Sequence, residues 1–151
     1  MLLETKIFGT IEKDDLKVIN FPKGIIGFPD LKEFALIHET NGEEKMTGLQ
    51  WLVSLNEPAF AMPVMDPLIV KPGYNPMVED EQLKAIGELT ADNLLILVTT
   101  TITAKIEDIS VNLMAPIIIN IETMKGIQVA VENTDYPVKY KIYDILKKPE
   151  S

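Results

Sequence analysis

Short runs of alternating apolar and polar residues, each stopped by glycine or proline, fill most of this chain. Leu3 to Phe8 alternates, Gly9 interrupts, and Thr10 to Glu12 follows before the polar Lys13-Asp14-Asp15. Alternation puts every second side chain on one face of an extended chain, so such runs predict half-buried strands. Val18 to Phe21 predicts the next strand, stopped by Pro22-Lys23-Gly24. The apolar, glycine-punctuated Ile25 to Pro29 predicts a tight bend against the core. Phe34 to Ile37 then reads as a buried strand and Glu39 to Gly48 as a polar loop. Leu49 to Val53, with Trp51 at least partly buried, predicts a strand that Asn56-Glu57-Pro58 turns into another over Ala59 to Val64.

In the second half, Leu94 to Ile102 predicts one long strand, apolar enough at its start to be central. Two β-branched runs, Ile117 to Ile119 and Ile127 to Val131, flank a polar segment ending in Lys125-Gly126, which predicts a hairpin. Pro116 has no N–H to give to a ladder, so an edge or a bulge is expected there. One helix signal stands out. Glu79-Asp80-Glu81 load a first turn with acid, Leu83 and Ile86 sit three apart, and Gly87 stands where a C-terminal cap belongs. Beyond Tyr140 the chain reads as a tail, in which Ile142, Ile145 and Leu146 leave room for a short terminal helix. Closely spaced short strands of this kind predict an all-β fold, a small single-domain antiparallel β-barrel or sandwich with one short helix near 79–87. The domain is expected to span 1–145, with 146–151 as a tail.

Composition narrows the function. At 151 residues and 46% hydrophobic content the chain suits one globular domain with a core of its own. No apolar run approaches the ~18 residues of a membrane span. Glu4 and Lys6 directly follow Met1-Leu2-Leu3, which is not the basic-then-apolar order of a secretory signal, so a cytoplasmic protein is expected. The absence of cysteine agrees with that compartment and removes thiol nucleophiles, thiolate metal sites and disulfides. Every basic residue is lysine, and net charge is −9. Without arginine's planar fork, and with a field that repels phosphate, direct nucleic-acid binding is disfavoured, and a basic protein partner is the sharper reading.

Little in the chain resembles catalytic machinery. His38 is the single histidine, and the serines available to it as nucleophiles are Ser54, Ser110 and Ser151. Acidic clusters at Asp14-Asp15, Glu43-Glu44, Glu79-Asp80-Glu81 and Glu107-Asp108 fall in predicted loops or a helix's first turn, where solvated charge is ordinary. No metal-ligand spacing and no phosphate-binding glycine loop is present, so neither metal nor cofactor is expected and a non-enzymatic role is favoured. Pro72-Gly73-Tyr74-Asn75-Pro76 is the most suggestive segment. It holds an aromatic on a proline-stiffened loop just before the acidic helix start, as an interface anchor requires. Folding back over the core is the plainer alternative. The candidate protein-binding residues are therefore Tyr74, Asn75, Glu79 and Asp80, with Ile102 and the loop Thr103 to Ser110 as the other location.

Three segments in order carry a resemblance. Phe21-Pro22-Lys23-Gly24-Ile25-Ile26-Gly27-Phe28 leads to Phe34-Ala35-Leu36-Ile37. Phe60-Ala61-Met62-Pro63-Val64-Met65-Asp66-Pro67 leads to Pro72-Gly73-Tyr74. Asn112 to Asn120 is followed by Lys125-Gly126 and by Asp135-Tyr136-Pro137. Together, over residues 3 to about 140, they resemble the flagellar assembly factor FliW family. The resemblance implies a small all-β barrel without enzymatic activity, monomeric when free. It implies two partners: the RNA-binding translational regulator CsrA, whose repression of flagellin mRNA is blocked, and flagellin, which exchanges with CsrA. A flagellin-only acidic chaperone and a small carboxylate-based hydrolase are the alternatives.

Overall fold

The computed structural model describes residues 2–5, 9–12, 18–38, 50–57, 60–133 and 135–146. The strands in chain order are β1 (Leu2–Thr5), β2 (Gly9–Glu12), β3 (Val18–Asn20), β4 (Glu33–His38), β5 (Gln50–Ser54), β6 (Ala61–Met65) and β7 (Leu94–Thr101). They are followed by β8 (Ser110–Val111), β9 (Ile117–Asn120), β10 (Lys125–Gln128) and β11 (Tyr140–Lys141). The first two make a separate antiparallel hairpin. From β3 to β7 the chain is a meander, each strand antiparallel to the next. The predicted β9–β10 hairpin forms with Gly126 opposite Ile119 and Ile127 opposite Ile118. One side of it pairs with β7 and the other with β3, so seven strands close into a barrel. Closure satisfies most of the edge that an open sheet would leave to solvent or to other chains, although the β3–β10 seam is a single residue pair. The β3–β10 contact is parallel, unlike the antiparallel pairing expected throughout.

Alternation decides what fills the barrel. Leu36, Leu52 and Met62 lie across from one another on adjacent strands. They point inward with Phe34, Val64, Leu97, Ile117 and Ile119, several of which are fully buried. Phe21 and Phe34 meet edge-on at 5.3 Å in this interior. Gly126 is required here, because a Cβ on it would lie 2.8 Å from the Phe21 ring. The outer face of β7 to β10 is covered as well. Val98 faces outward into a second cluster with Met65, Tyr74, Ile109, Val111, Tyr136 and Ile142. Leu97 in the barrel and Val98 in the outer cluster are both fully buried, so the strand is apolar on both faces there, while Leu94 at its start is 40% exposed.

The predicted helix forms as α1 (Asp80–Leu83), tightening into a 3-10 turn over Lys84–Ile86. Gly87 ends it with φ 91°, a conformation that side chains rarely tolerate. Ile86 packs fully buried against Ile118, Ile127 and Val129, so the helix roofs the outer face of β9 and β10. Asn120 fixes it from below. Its side-chain Nδ2 donates to the Ile86 carbonyl at 2.9 Å and the Glu88 carbonyl at 3.2 Å. Its Oδ1 accepts from the backbone N–H of Glu122 and of Thr123.

Two expectations change. Residues after Tyr140 are not simply tail: β11 pairs with β8 and Ile142 is fully buried, while α2 (Tyr143–Leu146) is the short terminal helix for which the sequence left room. A two-residue strand is too short to show periodicity, and Ile142 fills a place in the outer cluster that only the tertiary fold creates. Within the bend Ile25 to Pro29, Ile25 alone is buried against the core, while Ile26 and Phe28 are 56% and 46% exposed. At Pro116 the interruption is as expected, because β9 starts just after it. There the Asn112 side chain accepts from Met114 and Ala115 N–H and bends the chain out of β8.

Candidate protein-binding surface

The loop that leads into α1 is built by a polar clasp around two tyrosines. Asp66 Oδ1 accepts from the Leu68 N–H at 2.9 Å and starts the 3-10 turn Pro67–Ile69. Further on, the Tyr74 ring packs on Tyr136 with centroids 4.8 Å apart. Its hydroxyl donates to the Leu113 carbonyl at 2.6 Å. The Tyr136 hydroxyl accepts from the Asn75 N–H at 2.8 Å, and Asn133 bonds both the Asn75 carbonyl and the Met77 N–H. Burial, with the Tyr136 hydroxyl beside it, pushes the Tyr74 phenol well above its ordinary value, so it stays a neutral donor.

Tyr74 is therefore a core residue, 7% exposed, and the expectation of a projecting aromatic anchor does not describe it. The plainer alternative holds, except that the hydroxyl is bonded to backbone rather than wet. What the ring does is hold its loop rigid, so that its neighbours stand at fixed positions. Asn75, Glu79 and Asp80 are exposed along that loop and the first turn of α1, beside the exposed Met77. This set shares one stretch of surface. Ile102 does not join it through any hydrogen bond or ion pair; it lies 42% exposed past the end of β7, near Ile106, Glu107 and Asp108. Sequence reasoning missed Ile26 and Phe28, whose glycine-flanked context reads as core. Phe28 packs on Phe60 with tilted rings whose centroids are 4.6 Å apart, while keeping almost half its surface in solvent.

Of the residues weighed for catalysis, Ser54 and His38 are kept apart. Ser54 sits opposite Phe34 on the β4–β5 ladder, and His38 is opposite Gln50 at the other end. Four residues at ~3.3 Å each separate their backbones by roughly 13 Å. The Ser54 hydroxyl, buried, accepts from the Glu57 N–H at 2.9 Å. Glu79, Asp80, Glu81, Glu107 and Asp108 are all exposed to solvent. The pairs Asp14-Asp15 and Glu43-Glu44, and the histidine side chain, lie outside what the structure describes. Among the described residues, no three acidic or histidine side chains gather as a metal would need, and no helix is long and apolar enough to cross a membrane.

A closed barrel roofed by a short helix, with exposed acids at its loops and with Ser54 and Ser110 buried, defines a small all-β barrel protein by its architecture. The comparisons give that class a family. The model of the FliW protein family matches residues 2–142. The flagellar assembly factor FliW of Lachnospira eligens is 45% identical over 152 residues, covering all of both chains. That of Thermotoga neapolitana is 40% identical over all of this chain and 99% of its own. A crystal structure of the flagellar assembly factor FliW superposes with a TM-score of 0.83 at 29% identity, covering 100% of this chain and 99% of that one. This chain belongs to the FliW family of flagellar assembly factors.

Proposed function

We propose that this chain is a cytoplasmic, non-enzymatic regulator that binds CsrA, relieves its repression of flagellin mRNA, and binds flagellin in exchange for it. Family membership supports the flagellar half of this reading. The observation that carries the other half is charge. A protein that grips RNA must present cations, and this chain carries −9 with no arginine. Its acids at Glu79, Asp80 and Glu81 and at Glu107 and Asp108 stand in solvent, where they steer a basic partner and repel its phosphate ligand. Asn75, Glu79 and Asp80 form one contact region on the loop that Tyr74 holds, and Ile102 belongs to a second. The free protein is a monomer, since like-charged copies repel.

The test measures binding of the purified chain to purified CsrA and to purified flagellin separately, and translation of flagellin mRNA in a cell-free system repressed by CsrA. Binding to both with restored translation is expected. Binding to flagellin alone would leave the acidic-chaperone alternative, and binding to neither would overturn the proposal.

A further inference from the structure

The seam between β3 and β10 is one residue pair long. Lys125 pairs with Asn20 in parallel register, and the Asn20 N–H donates to the Met124 carbonyl at 2.9 Å. The next donor on this edge belongs to position 22, which is Pro22 and has no N–H, so the ladder stops. The chain then turns away through Lys23 and Gly24. Gly24 has φ 68°, and a Cβ there would lie 2.5 Å from the backbone of Pro29, so glycine alone lets the turn close this tightly.

The other side of the seam does not turn away. Past β10 the chain continues beside residues 114–116, with Val129 N–H donating to the Pro116 carbonyl at 3.3 Å and Val131 N–H to the Met114 carbonyl at 2.8 Å. Successive residues of a strand direct their peptide groups to opposite sides. Gln128 and Ala130 therefore direct theirs to the edge that β3 has left, and among the described residues neither forms a backbone hydrogen bond there. A groove of about 420 Å³ opens along this edge, between Lys23 to Gly27 on one wall and Ile127 to Ala130 with Gln82 on the other. Its width is fixed by Gln128, whose side chain accepts from the Ile26 N–H at 3.0 Å and donates to the Ala115 carbonyl at 3.1 Å.

We propose that this groove is a strand-addition site, in which an extended segment of a protein partner pairs with Gln128 and Ala130 and continues the ladder that Pro22 interrupts. Unpaired peptide groups two residues apart demand main chain as the ligand, and an extended segment supplies it. The exposed Ile26 offers an apolar contact to one side chain of the segment, and Lys23, the one cation on the walls, suits an acidic residue at its end. A second copy of this chain is a poorer occupant, because it brings −9 against −9. The proposal rests on reading the chain as a protein-binding factor, and it adds the mode and the place.

The test uses Ala130→Pro, which removes the N–H that the segment would use but breaks no bond of the free fold; Ala130→Ser keeps that N–H. The probe is the capped hexapeptide acetyl-Glu-Val-Thr-Val-Thr-Val-amide, titrated into nitrogen-15-labelled protein. Saturable shifts at the Gln128 and Ala130 amides, with slowed hydrogen exchange at both, are expected. Binding should be at least tenfold weaker for Ala130→Pro and unchanged for Ala130→Ser. No saturable binding, shifts centred elsewhere, or a proline variant that folds and binds like the parent would overturn the proposal. So would a dimer in sedimentation that Ala130→Pro dissolves, since the groove would then belong to a second copy. Should Ala130→Pro not fold, the amide shifts and exchange rates of the parent decide. If the peptide pairs at the groove while CsrA and flagellin bind nowhere on the parent, the proposed function fails and the groove stands.

Discussion

Tyr74→Phe deletes one hydroxyl and keeps the ring. That hydroxyl donates to the Leu113 carbonyl at 2.6 Å, with Tyr74 7% exposed and Leu113 fully buried. Losing the bond costs ~0.5–1.5 kcal/mol, and a buried carbonyl left without a donor costs ~1–3 kcal/mol, so about 2 kcal/mol is expected in all. Tyr74→Ala also removes the ring and its contact with Tyr136. At ~3–5 kcal/mol for a buried aromatic, that change consumes much of a typical ~5–15 kcal/mol of stability. Urea unfolding followed by far-ultraviolet circular dichroism at pH 7 measures both. The pH dependence gives a second reading. The folded protein holds the Tyr74 proton more tightly than the unfolded chain, in which it titrates near 10.0. The stabilisation is thus complete below pH 10 and is lost as pH rises beyond it, and this loss should be absent from Tyr74→Phe. A phenylalanine variant with the parent's stability and pH slope but weakened partner binding would refute the reasoning and turn the hydroxyl from a fold contact into an interface contact.

Asn120→Ala should cost about 2 kcal/mol in the same assay, because it strips the Glu122 and Thr123 amides of their acceptor and leaves the Ile86 and Glu88 carbonyls with one donor each, Thr123 Oγ1 and Asn93 Nδ2. An unchanged midpoint would show that water replaces the side chain freely. Gly126→Ala should cost ~1–3 kcal/mol through overpacking against Phe21, and a neutral outcome would mean the ring moves aside at no cost. Association with CsrA should slow as salt rises, since steering raises on-rates by ~10–10³ and is screened over ~8 Å at physiological ionic strength. Stopped-flow rates indifferent to salt would remove charge from the account. Asp80→Asn, at a solvated rim, should change affinity by under ~1 kcal/mol, and a larger loss by calorimetry would place Asp80 inside a dry interface.

Local signals made much of this fold legible. The β9–β10 hairpin follows from two β-branched runs, and α1 follows from its acidic first turn and Gly87, because each is specified by residues close in sequence. What stayed hidden depends on distant partners. The pairing of β8 with β11, the burial of Ile142 and the parallel β3–β10 seam exist only once the barrel closes. Tyr74 was legible as a special residue on a stiff loop, but its direction was not, since Leu113 and Tyr136 accept it from far along the chain. The open edge at Gln128 and Ala130 was likewise invisible: Pro22 reads as a strand stop, and only the topology shows whose ladder it stops. Solvated acids such as Glu79 and Asp80 were placed correctly on the surface because charge without a partner stays in water.

The most direct test of the account is a titration of flagellin into the preformed complex of this chain with CsrA, followed by fluorescence anisotropy of labelled CsrA. Anisotropy should fall to that of free CsrA as flagellin saturates, with CsrA reciprocally weakening flagellin binding by the same factor. A standard interface takes ~800 Å² from each partner, a large share of so small a barrel's surface, so mutual obstruction is physically easy. A ternary complex that persists at saturating flagellin, with the affinity for CsrA unchanged, would contradict it.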